Sequence, residues 1–298
     1  SSLNTTTLNL SSGYALQGVV TITGGNVAFI NVDMRCSPGS SIIVASGATL
    51  TITQSHLYSC FDMWQGIIVQ PGGYLVINTS LIEDAQQAIT VDNNLSTTGK
   101  VLDISTTVFN HNFVSIAVSN YTQTISTYPF QIKSSVFTSR NFTFTPYSWP
   151  TSGLLTQTMS PSNPLGTPFY MQNYPVSMLK APNNTNYAYY GITLNNVGST
   201  INPSLTPTYY SMMIGEPTST VNFNLFDNLM HCISATNSNM KVAYNVFQNT
   251  QSKQLHGNWL GGIAVESNSD DGYNNYLMMK SPTPYFSSRR SRFYDCTY

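Results

Sequence analysis

The feature that most constrains this fold is a repeat: the same pair of short apolar segments occurs twice between residues 47 and 91. Leu50-Thr-Ile-Thr is matched by Leu75-Val-Ile-Asn, and Gly66-Ile-Ile-Val is matched by Ala88-Ile-Thr-Val. Sequence periods of about 20–50 residues are typical of solenoids, propellers and other arrays. The segments alternate apolar and polar residues between Gly or Asn turns, without helical periodicity. We therefore interpret the chain as all-β, and specifically as a right-handed parallel β-helix.

The same strand motif recurs further along the chain with loops of varying length. Leu102-Asp-Ile-Ser continues the series that begins at Leu50 and Leu75, and Phe130-Gln-Ile-Lys extends it by one more step. Later, Asn224 and Asn245 occupy the same place in two similar Asn–apolar–Phe segments, which favours amide ladders at turn positions. A propeller blade would be longer and would hold four antiparallel strands. The short period therefore favours the β-helix.

The pattern divides the chain into three segments. We predict an N-terminal cap and β-helix coils over 1–140, an inserted loop region over 141–220, and further coils of the same solenoid over 221–298. The insertion is rich in Tyr and holds most of the proline, which removes ladder donors and disfavours central strands. One segment inside it, Tyr190-Gly-Ile-Thr-Leu, echoes Gly66-Ile-Ile-Val. Because the repeat is still in progress at Tyr298, we expect the native protein to be longer.

The charge composition is unusual for a soluble protein. Only 8% of the residues are charged and the net charge is -1, against about 25% charged residues in an ordinary domain. Like charges stacked at about 4.8 Å would repel one another, whereas hydroxyl and amide groups hydrogen-bond along a stack. The net charge shows no excess of basic residues that would bind nucleic acid, and no apolar run approaches the roughly 20 residues of a membrane span. We predict neither a nucleic-acid partner nor a transmembrane segment.

Three segments carry a family resemblance: GATLTITQSHLYSC, MWQGI and GGYLVINTSLIEDAQQAI. They resemble the right-handed parallel β-helix repeats of bacterial cell-surface proteins and are similar to cargo proteins of the type IX secretion system. The match is specific over 27–91, generic over 100–140 and 221–296, and absent from the insertion. The C-terminal sorting domain usual in that group is not found in this sequence. The resemblance implies an exported protein, extracellular or at the cell surface.

Two cysteines suggest a covalent link between coils. Cys36 precedes Ile42, and Cys60 precedes Ile67, by nearly the same interval along the chain. Stacked strands are about 4.8 Å apart, within the roughly 4.4–6.8 Å that separates the Cα atoms of a disulfide. We predict a Cys36–Cys60 disulfide, which suits an exported protein, with two buried thiols as the alternative. The pairing of Cys232 and Cys296 stays open.

Residues for catalysis are sparse in this sequence. Glycosidases of the β-helix fold place paired carboxylates in one groove, whereas the 12 acidic residues here are spread over 298 positions. If the chain is an enzyme, it is a polysaccharide lyase or glycoside hydrolase on a pectate-lyase-like β-helix. The catalytic candidates are then His256, Asp270 and Asp271. A second set of acids, on adjacent coils, is Asp62, Glu83 and Asp84.

No metal site or cofactor is predicted. The four histidines are scattered, without the spacing of a zinc site. Asp270-Asp271-Gly272 offers oxygen ligands for Ca²⁺, but a solvated turn is the favoured interpretation of that segment.

Aromatic residues supply the predicted binding surface. Exposed Tyr and Trp rings combine apolar faces with a polar edge and suit contacts with sugars. The predicted binding residues are Tyr147, Trp149, Tyr170, Tyr174, Tyr189, Tyr190 and Trp259. Trp64 is instead interpreted as covering a hydrophobic end of the stack.

Three functional hypotheses remain. We favour a non-enzymatic, structural or adhesin-like protein that contacts a polysaccharide or a surface-protein partner. The second hypothesis is the polysaccharide-cleaving enzyme. The third is a passive secretion cargo that binds an outer-membrane export complex.

Overall fold

In a computed structural model, the described residues are 2–9, 13–59, 62–92, 100–121, 129–139, 190–197, 212–215, 224–227, 229–236, 238–242, 245–248, 253–255, 258–260, 263–268, 276–279 and 292–294. Regular structure in these ranges consists of β-strands, and no helix occurs within them. The predicted all-β class is confirmed.

The strands form three parallel ladders, two of which share the long strand β3 (Val19–Ile30). The first ladder joins the start of β3 to β5 (Ser41–Val44), β8 (Gly66–Val69), β11 (Gln87–Asp92), β14 (Val114–Tyr121), β17 (Tyr190–Val197), β20 (His231–Thr236) and β25 (Ile263–Asn268). The second joins the end of β3 to β6 (Ala48–Thr53), β9 (Tyr74–Asn78), β12 (Leu102–Ser105), β15 (Phe130–Lys133), β18 (Met212–Ile214), β21 (Asn239–Val242) and β26 (Tyr276–Met279). The third contains β2 (Tyr14–Leu16), β4 (Asp33–Cys36), β7 (His56–Tyr58), β10 (Leu81–Glu83), β13 (Val108–Asn110), β16 (Val136–Thr138), β19 (Asn224–Asp227), β22 (Asn245–Gln248) and β27 (Arg292–Tyr294).

The chain visits these ladders in a fixed order. After each strand of the third ladder it enters the first, then the second, and then returns to the third. Two features stand outside this cycle: β1 (Ser2–Asn9), which pairs with β3, and an antiparallel hairpin of β23 (Lys253–Leu255) and β24 (Asn258–Leu260). The parallel pairing predicted from the repeat is confirmed.

The strand register matches the predicted repeat steps. Residues that are equivalent in the sequence repeats are direct partners on neighbouring strands. These pairs are Leu50–Leu75, Leu75–Leu102, Leu102–Phe130, Ile67–Ile89 and Asn224–Asn245. Because side chains alternate between the two faces of a strand, this register keeps equivalent residues of paired strands on the same face.

A column of aromatic rings fills the interior beside the third ladder. The rings of Phe109, Phe137, Phe226 and Phe247 stack with centroid separations of 5.1, 4.6 and 5.0 Å. All four side chains are fully buried and belong to the hydrophobic core. The separations follow the spacing of the strands themselves. Phe at one fixed place in each repeat is therefore a packing requirement.

A single left-handed residue makes the turn from the second ladder into the third. The φ angles at this turn lie between 49° and 54° in five successive coils. The residues are Asn31, Gln54, Thr79, Thr106 and Ser134. All five are polar, and polar side chains can offset the cost of this conformation through local hydrogen bonds.

A buried ladder of hydroxyl groups follows this turn. Ser55 Oγ donates to the Thr53 carbonyl at 2.8 Å and accepts from the Val32 amide at 3.1 Å. Ser80 Oγ repeats this arrangement one coil later, donating to the Asn78 carbonyl at 2.8 Å and accepting from the Ser55 amide at 3.2 Å. Each hydroxyl therefore satisfies a backbone group in its own coil and one in the preceding coil.

The ladder changes from hydroxyls to amides at two asparagines. Asn224 accepts from the Ser135 amide at 2.9 Å, and its Nδ2 donates to Asn245 Oδ1, also at 2.9 Å. Asn245 Nδ2 in turn donates to the Ile214 carbonyl at 3.0 Å. The amide stacking predicted at Asn224 and Asn245 is confirmed.

Two strands of the stack lie inside the range that the sequence assigns to the insertion. Strand β17 contains the predicted segment that begins at Tyr190, and it pairs with β14 and β20. Strand β18 pairs with β15 and β21 and was not predicted. The stack thus contributes two strands to 141–220, where sequence analysis expected one. The division into 1–140, 141–220 and 221–298 stays a prediction.

Candidate functional site

A cluster of polar and titratable side chains lies on the third ladder, on the face opposite the ring column. Strands β4, β7, β10 and β13 follow one another in this ladder, and Asp33 pairs with His56 while Glu83 pairs with Asn110. Alternation along each strand directs the residues between them into the core, Ile82 among them. We call the following residues the third-ladder cluster: Asp33, His56, Glu83, Asp84, Asn110 and His111.

His56 lies between two carboxyl groups from neighbouring coils. Its Nε2 is 2.7 Å from Glu83 Oε2, and its Nδ1 is 3.6 Å from Asp33 Oδ1. The imidazole also stacks on the ring of Tyr58, with centroids 4.4 Å apart. Only 3% of the side chain is exposed. The ring is therefore fixed in position by three contacts.

Glu83 is held in its ionised form by the groups around it. Asn110 Nδ2 donates to Glu83 Oε1 at 2.6 Å, while His56 occupies the other oxygen. Burial acts to raise the pKa of Glu83, but the hydrogen bonds of His56 and Asn110 and the charges of His56 and His111 outweigh it. The pKa of the Glu83 carboxyl consequently lies below its usual value.

The neighbouring carboxyl, Asp84, titrates in the opposite direction. Burial and the adjacent charge of Glu83 raise its pKa well above the usual range, against a hydrogen bond from the Ser59 amide to Oδ2 at 3.3 Å. Asp84 adopts a left-handed φ of 62° directly after β10 ends at Glu83, and the two carboxyl groups contact different partners. His111 Nδ1 lies 3.8 Å from Asp84 Oδ1.

Side-chain hydrogen bonds from neighbouring coils hold the backbone around Glu83 and Asp84. Asn112 accepts a hydrogen bond from the Ala85 amide at 2.9 Å and donates Nδ2 to the Ile82 carbonyl, also at 2.9 Å. Trp64 Nε1 donates to the Glu83 carbonyl at 2.8 Å. Asn112 and Trp64 are both buried, so Glu83 and Asp84 stand on a rigid segment. Sequence analysis placed Trp64 at an end of the stack, whereas the structure buries it within the stack, in the hydrophobic core.

The pKa values of the adjacent Glu83 and Asp84 carboxyl groups are shifted in opposite directions. Two adjacent carboxyl groups with pKa values moved apart are the usual basis of acid and base roles. However, the groups are mostly buried and bind one another, with side-chain exposures of 14% for Glu83 and 11% for His111. Among the described residues, no group of three or more His, Cys, Asp or Glu side chains is suited to hold a metal ion.

The structure brings together part of the acidic set that was predicted on adjacent coils. Glu83 and Asp84 both belong to the third-ladder cluster. Asp62 does not join them: its side chain is exposed, and its carbonyl accepts a hydrogen bond from Ser59 Oγ at 2.6 Å.

Of the predicted binding residues, Tyr190 has a described side chain. It is half-buried and stacks on His231, with ring centroids 4.8 Å apart. Trp259 lies in β24, but its side chain is not part of the description. The remaining binding and catalytic candidates lie outside the described residues: Tyr147, Trp149, Tyr170, Tyr174, Tyr189, His256, Asp270 and Asp271.

The predicted disulfide is not seen in the structure. Cys36 is buried with a free thiol, and burial, with the nearby charge of Asp84, raises its pKa. The third-ladder register pairs Arg35 with Tyr58, which places Ser59 opposite Cys36. Cys60 itself lies outside the described residues.

Sequence analysis missed Asp33, His56, Asn110 and His111 as members of a site. The signal was present in the third-ladder segments, which place polar residues at the ends of short apolar strands: His56 in HLY, Glu83 in LIE and Asn110 in VFN. Aligning these short strands, rather than only the longer strands of the other two ladders, would have brought the residues together.

Comparisons with protein-family models, with curated proteins and with solved structures found no match for this chain. Within the described residues, no helix has the length and apolar character required to cross a membrane.

Proposed function

We propose that the chain winds as a right-handed parallel β-helix and serves as a non-enzymatic structural or adhesive protein outside the cell. The observation that carries this proposal is the fixed cycle through three parallel ladders, with aligned core positions in the coils whose side chains are described. A crossover that returns the chain to a parallel strand of the same sheet is right-handed in nearly all proteins, which supports the handedness. The resemblance of 27–91 to exported bacterial repeat proteins supports the location.

The state of the titratable groups favours a scaffold over an enzyme. In the third-ladder cluster, the His56 and Glu83 side chains bind each other at 2.7 Å, and Asn110 binds the remaining Glu83 oxygen. A hydrolase needs at least one acid or base that can reach a substrate. Groups that are buried and bound to each other serve instead to hold successive coils together.

The proposed partner is a polysaccharide or a surface protein that contacts the aromatic insertion. Departures from a repeat are where solenoids carry recognition, since the repeat itself is required for stacking. The insertion holds Tyr147, Trp149, Tyr170 and Tyr174, whose rings suit sugars and apolar protein surfaces.

Binding should be tested without removing strands of the stack. Because β17 and β18 lie within 141–220, deletion of the whole range would remove part of the ladders. We would instead replace Tyr147, Trp149 and Tyr170 together by Ala. A matched control is Tyr14→Ala, since Tyr14 is exposed by 38% and lies on β2, outside the insertion.

The assay is a polysaccharide pull-down and a glycan array, together with adhesion to cell surfaces. Loss of binding in the triple variant, with retention in Tyr14→Ala and unchanged circular dichroism in both, supports the proposal. Equal binding by the two variants and the unaltered protein contradicts it.

One observation favours a polysaccharide-cleaving enzyme as the second candidate function. The pKa of Glu83 is lowered and that of Asp84 is raised, the kind of separation that general acid–base catalysis uses. In that case Glu83→Gln and Asp84→Asn would each abolish cleavage of acidic or neutral polysaccharides. Asp270→Asn and Asp271→Asn test the other predicted set. No release of reducing ends or unsaturated sugars by the unaltered protein would exclude this candidate.

A further inference from the structure

One imidazole links three consecutive coils. Asp33, His56 and Glu83 belong to β4, β7 and β10, which are neighbours in the third ladder. The His56 ring nitrogens lie 3.6 Å from the Asp33 carboxylate and 2.7 Å from that of Glu83. We call this arrangement the Asp33–His56–Glu83 bridge.

The bridge requires two donors from a single ring. Ionised carboxylates only accept hydrogen bonds, an imidazolium donates from both nitrogens, and a neutral imidazole donates from one. When the ring is neutral and its proton is on Nε2, Asp33 faces a lone pair. Both Asp33 oxygens are buried and have no hydrogen-bond partner. Asp33 is therefore the side of the bridge that depends most on the second proton.

The surrounding groups offer little other compensation. Tyr58 stacks on His56 without a charge, and Asn110 donates to Glu83 but not to Asp33. Asp84 adds a third carboxyl beside Glu83, with His111 at 3.8 Å from it. In the described part of the chain, the cationic side chains in ion-pair contact with these three carboxyls are the two imidazoles. Losing the second proton of His56 thus leaves the Asp33 and Glu83 carboxylates without a positive charge between them.

We propose that the Asp33–His56–Glu83 bridge is a proton-operated clamp on the N-terminal coils. With the second proton present, it holds β4, β7 and β10 together. Without it, the Asp33 carboxylate is left unmatched, and these coils open more often. Burial raises the pKa of the Asp33 carboxyl against the opposing charge of His56, and in a coupled array the proton belongs to the group as a whole. The clamp is independent of the proposed partner binding.

The clamp can be measured by backbone hydrogen exchange in the full chain. The His56 amide donates to the Val32 carbonyl at 2.8 Å, and the Leu81 amide donates to the Ser55 carbonyl, also at 2.8 Å. After correction for intrinsic exchange, we expect protection of these amides to fall about tenfold or more between about pH 5.5 and 8.5, the scale of one hydrogen bond to a charged group. The Val136 amide, bonded to the Thr107 carbonyl in the same ladder, serves as the internal control and should change little.

Two variants make the proposal falsifiable. Asp33→Asn keeps the shape but removes the charge, so protection at the alkaline end of this range should stay near its value at the acidic end. Asp103→Asn alters a carboxylate that pairs with Lys100 away from the bridge and should keep the unaltered pH profile. Constant protection of His56 and Leu81 in the unaltered protein, or an unchanged pH slope in Asp33→Asn, would overturn the clamp.

Discussion

Replacing Gly66 by Ala should disrupt the first ladder at one defined place. Gly66 opens β8 with a φ of 108°, a conformation that L-residues rarely adopt. A Cβ built there would lie 1.7 Å from the Gln87 carbonyl oxygen and 3.0 Å from that of Ala88. Both oxygens belong to the backbone of the next coil, so neither can rotate away. The two coils must therefore separate by more than about 1 Å to reach ordinary contact distance.

The cost can be worked from two contributions. A non-glycine residue in this backbone region costs roughly 1–3 kcal/mol. Separation of the coils also weakens the bonds from the Gln86 amide to Trp64, at 2.8 Å, and from the Gln87 amide to Gln65, at 3.3 Å, each worth about 1 kcal/mol. Together these give a destabilisation of about 3–5 kcal/mol, a large part of an ordinary stability of about 5–15 kcal/mol.

Gly47→Ala is the matched control for this prediction. Gly47 also has a left-handed φ, of 74°, but no atom lies within 4 Å of the Cβ position. Its replacement should cost only the backbone term of about 1–2 kcal/mol. Chemical unfolding followed by circular dichroism gives both values, and hydrogen exchange in β8 and β11 locates the effect. Equal destabilisation by the two variants would refute the close approach of Gln87 as the cause.

Three further predictions concern the core, the hydroxyl ladder and the cluster. Phe137→Ala should destabilise the protein by about 3–5 kcal/mol in chemical unfolding, because Phe137 is fully buried between two rings at 5.1 and 4.6 Å; a cost below about 1 kcal/mol would contradict the ring column. Ser80→Ala should cost about 1–3 kcal/mol, since the buried Ser55 amide loses its acceptor, whereas Ser80→Thr should retain most of the stability. The free energy of unfolding that is lost on replacing Glu83 by Gln should become smaller as the pH falls. Because the pKa of Glu83 is lowered in the folded protein, its contribution to stability is present above the usual value of 4.5 and is lost as the pH falls below it. A deficit that stays constant from neutral to strongly acidic pH would contradict this assignment.

The three-ladder arrangement was largely predictable because parallel strands pair in register. A residue such as Leu75 has Leu50 on one side and Leu102 on the other, so the packing of one coil repeats in the next and leaves a visible period in the sequence. Strand β18 could not be found in this way. It is short, covering only Met212–Ile214. In the sequence, most of the proline-rich insertion separates it from Phe130, to which Met212 pairs in the preceding coil.

The third-ladder cluster was less predictable, for a reason of geometry. Glu83 and Asp84 are neighbours in sequence, yet the left-handed backbone at Asp84 sends one carboxyl to His56 and the other to Ser59 and His111. The opposite directions of their pKa values depend on that turn and on burial. Neither follows from the residue types alone.

Along the third ladder, one column of paired positions on the inner face holds the same residue in four strands, whereas a column on the outer face holds different residues. The interior column keeps Phe at 109, 137, 226 and 247 because each ring packs on the one before it. On the opposite face of the same strands, Glu83, Asn110, Thr138 and Asp227 are successive partners and no two are alike. Packing of the core does not require these differences, because the residue that precedes each of them on the strand is apolar and fills the core. Differences along this outer column therefore reflect demands outside the core. In this column, Glu83 contacts both neighbouring coils, through the His56 imidazole and the Asn110 amide.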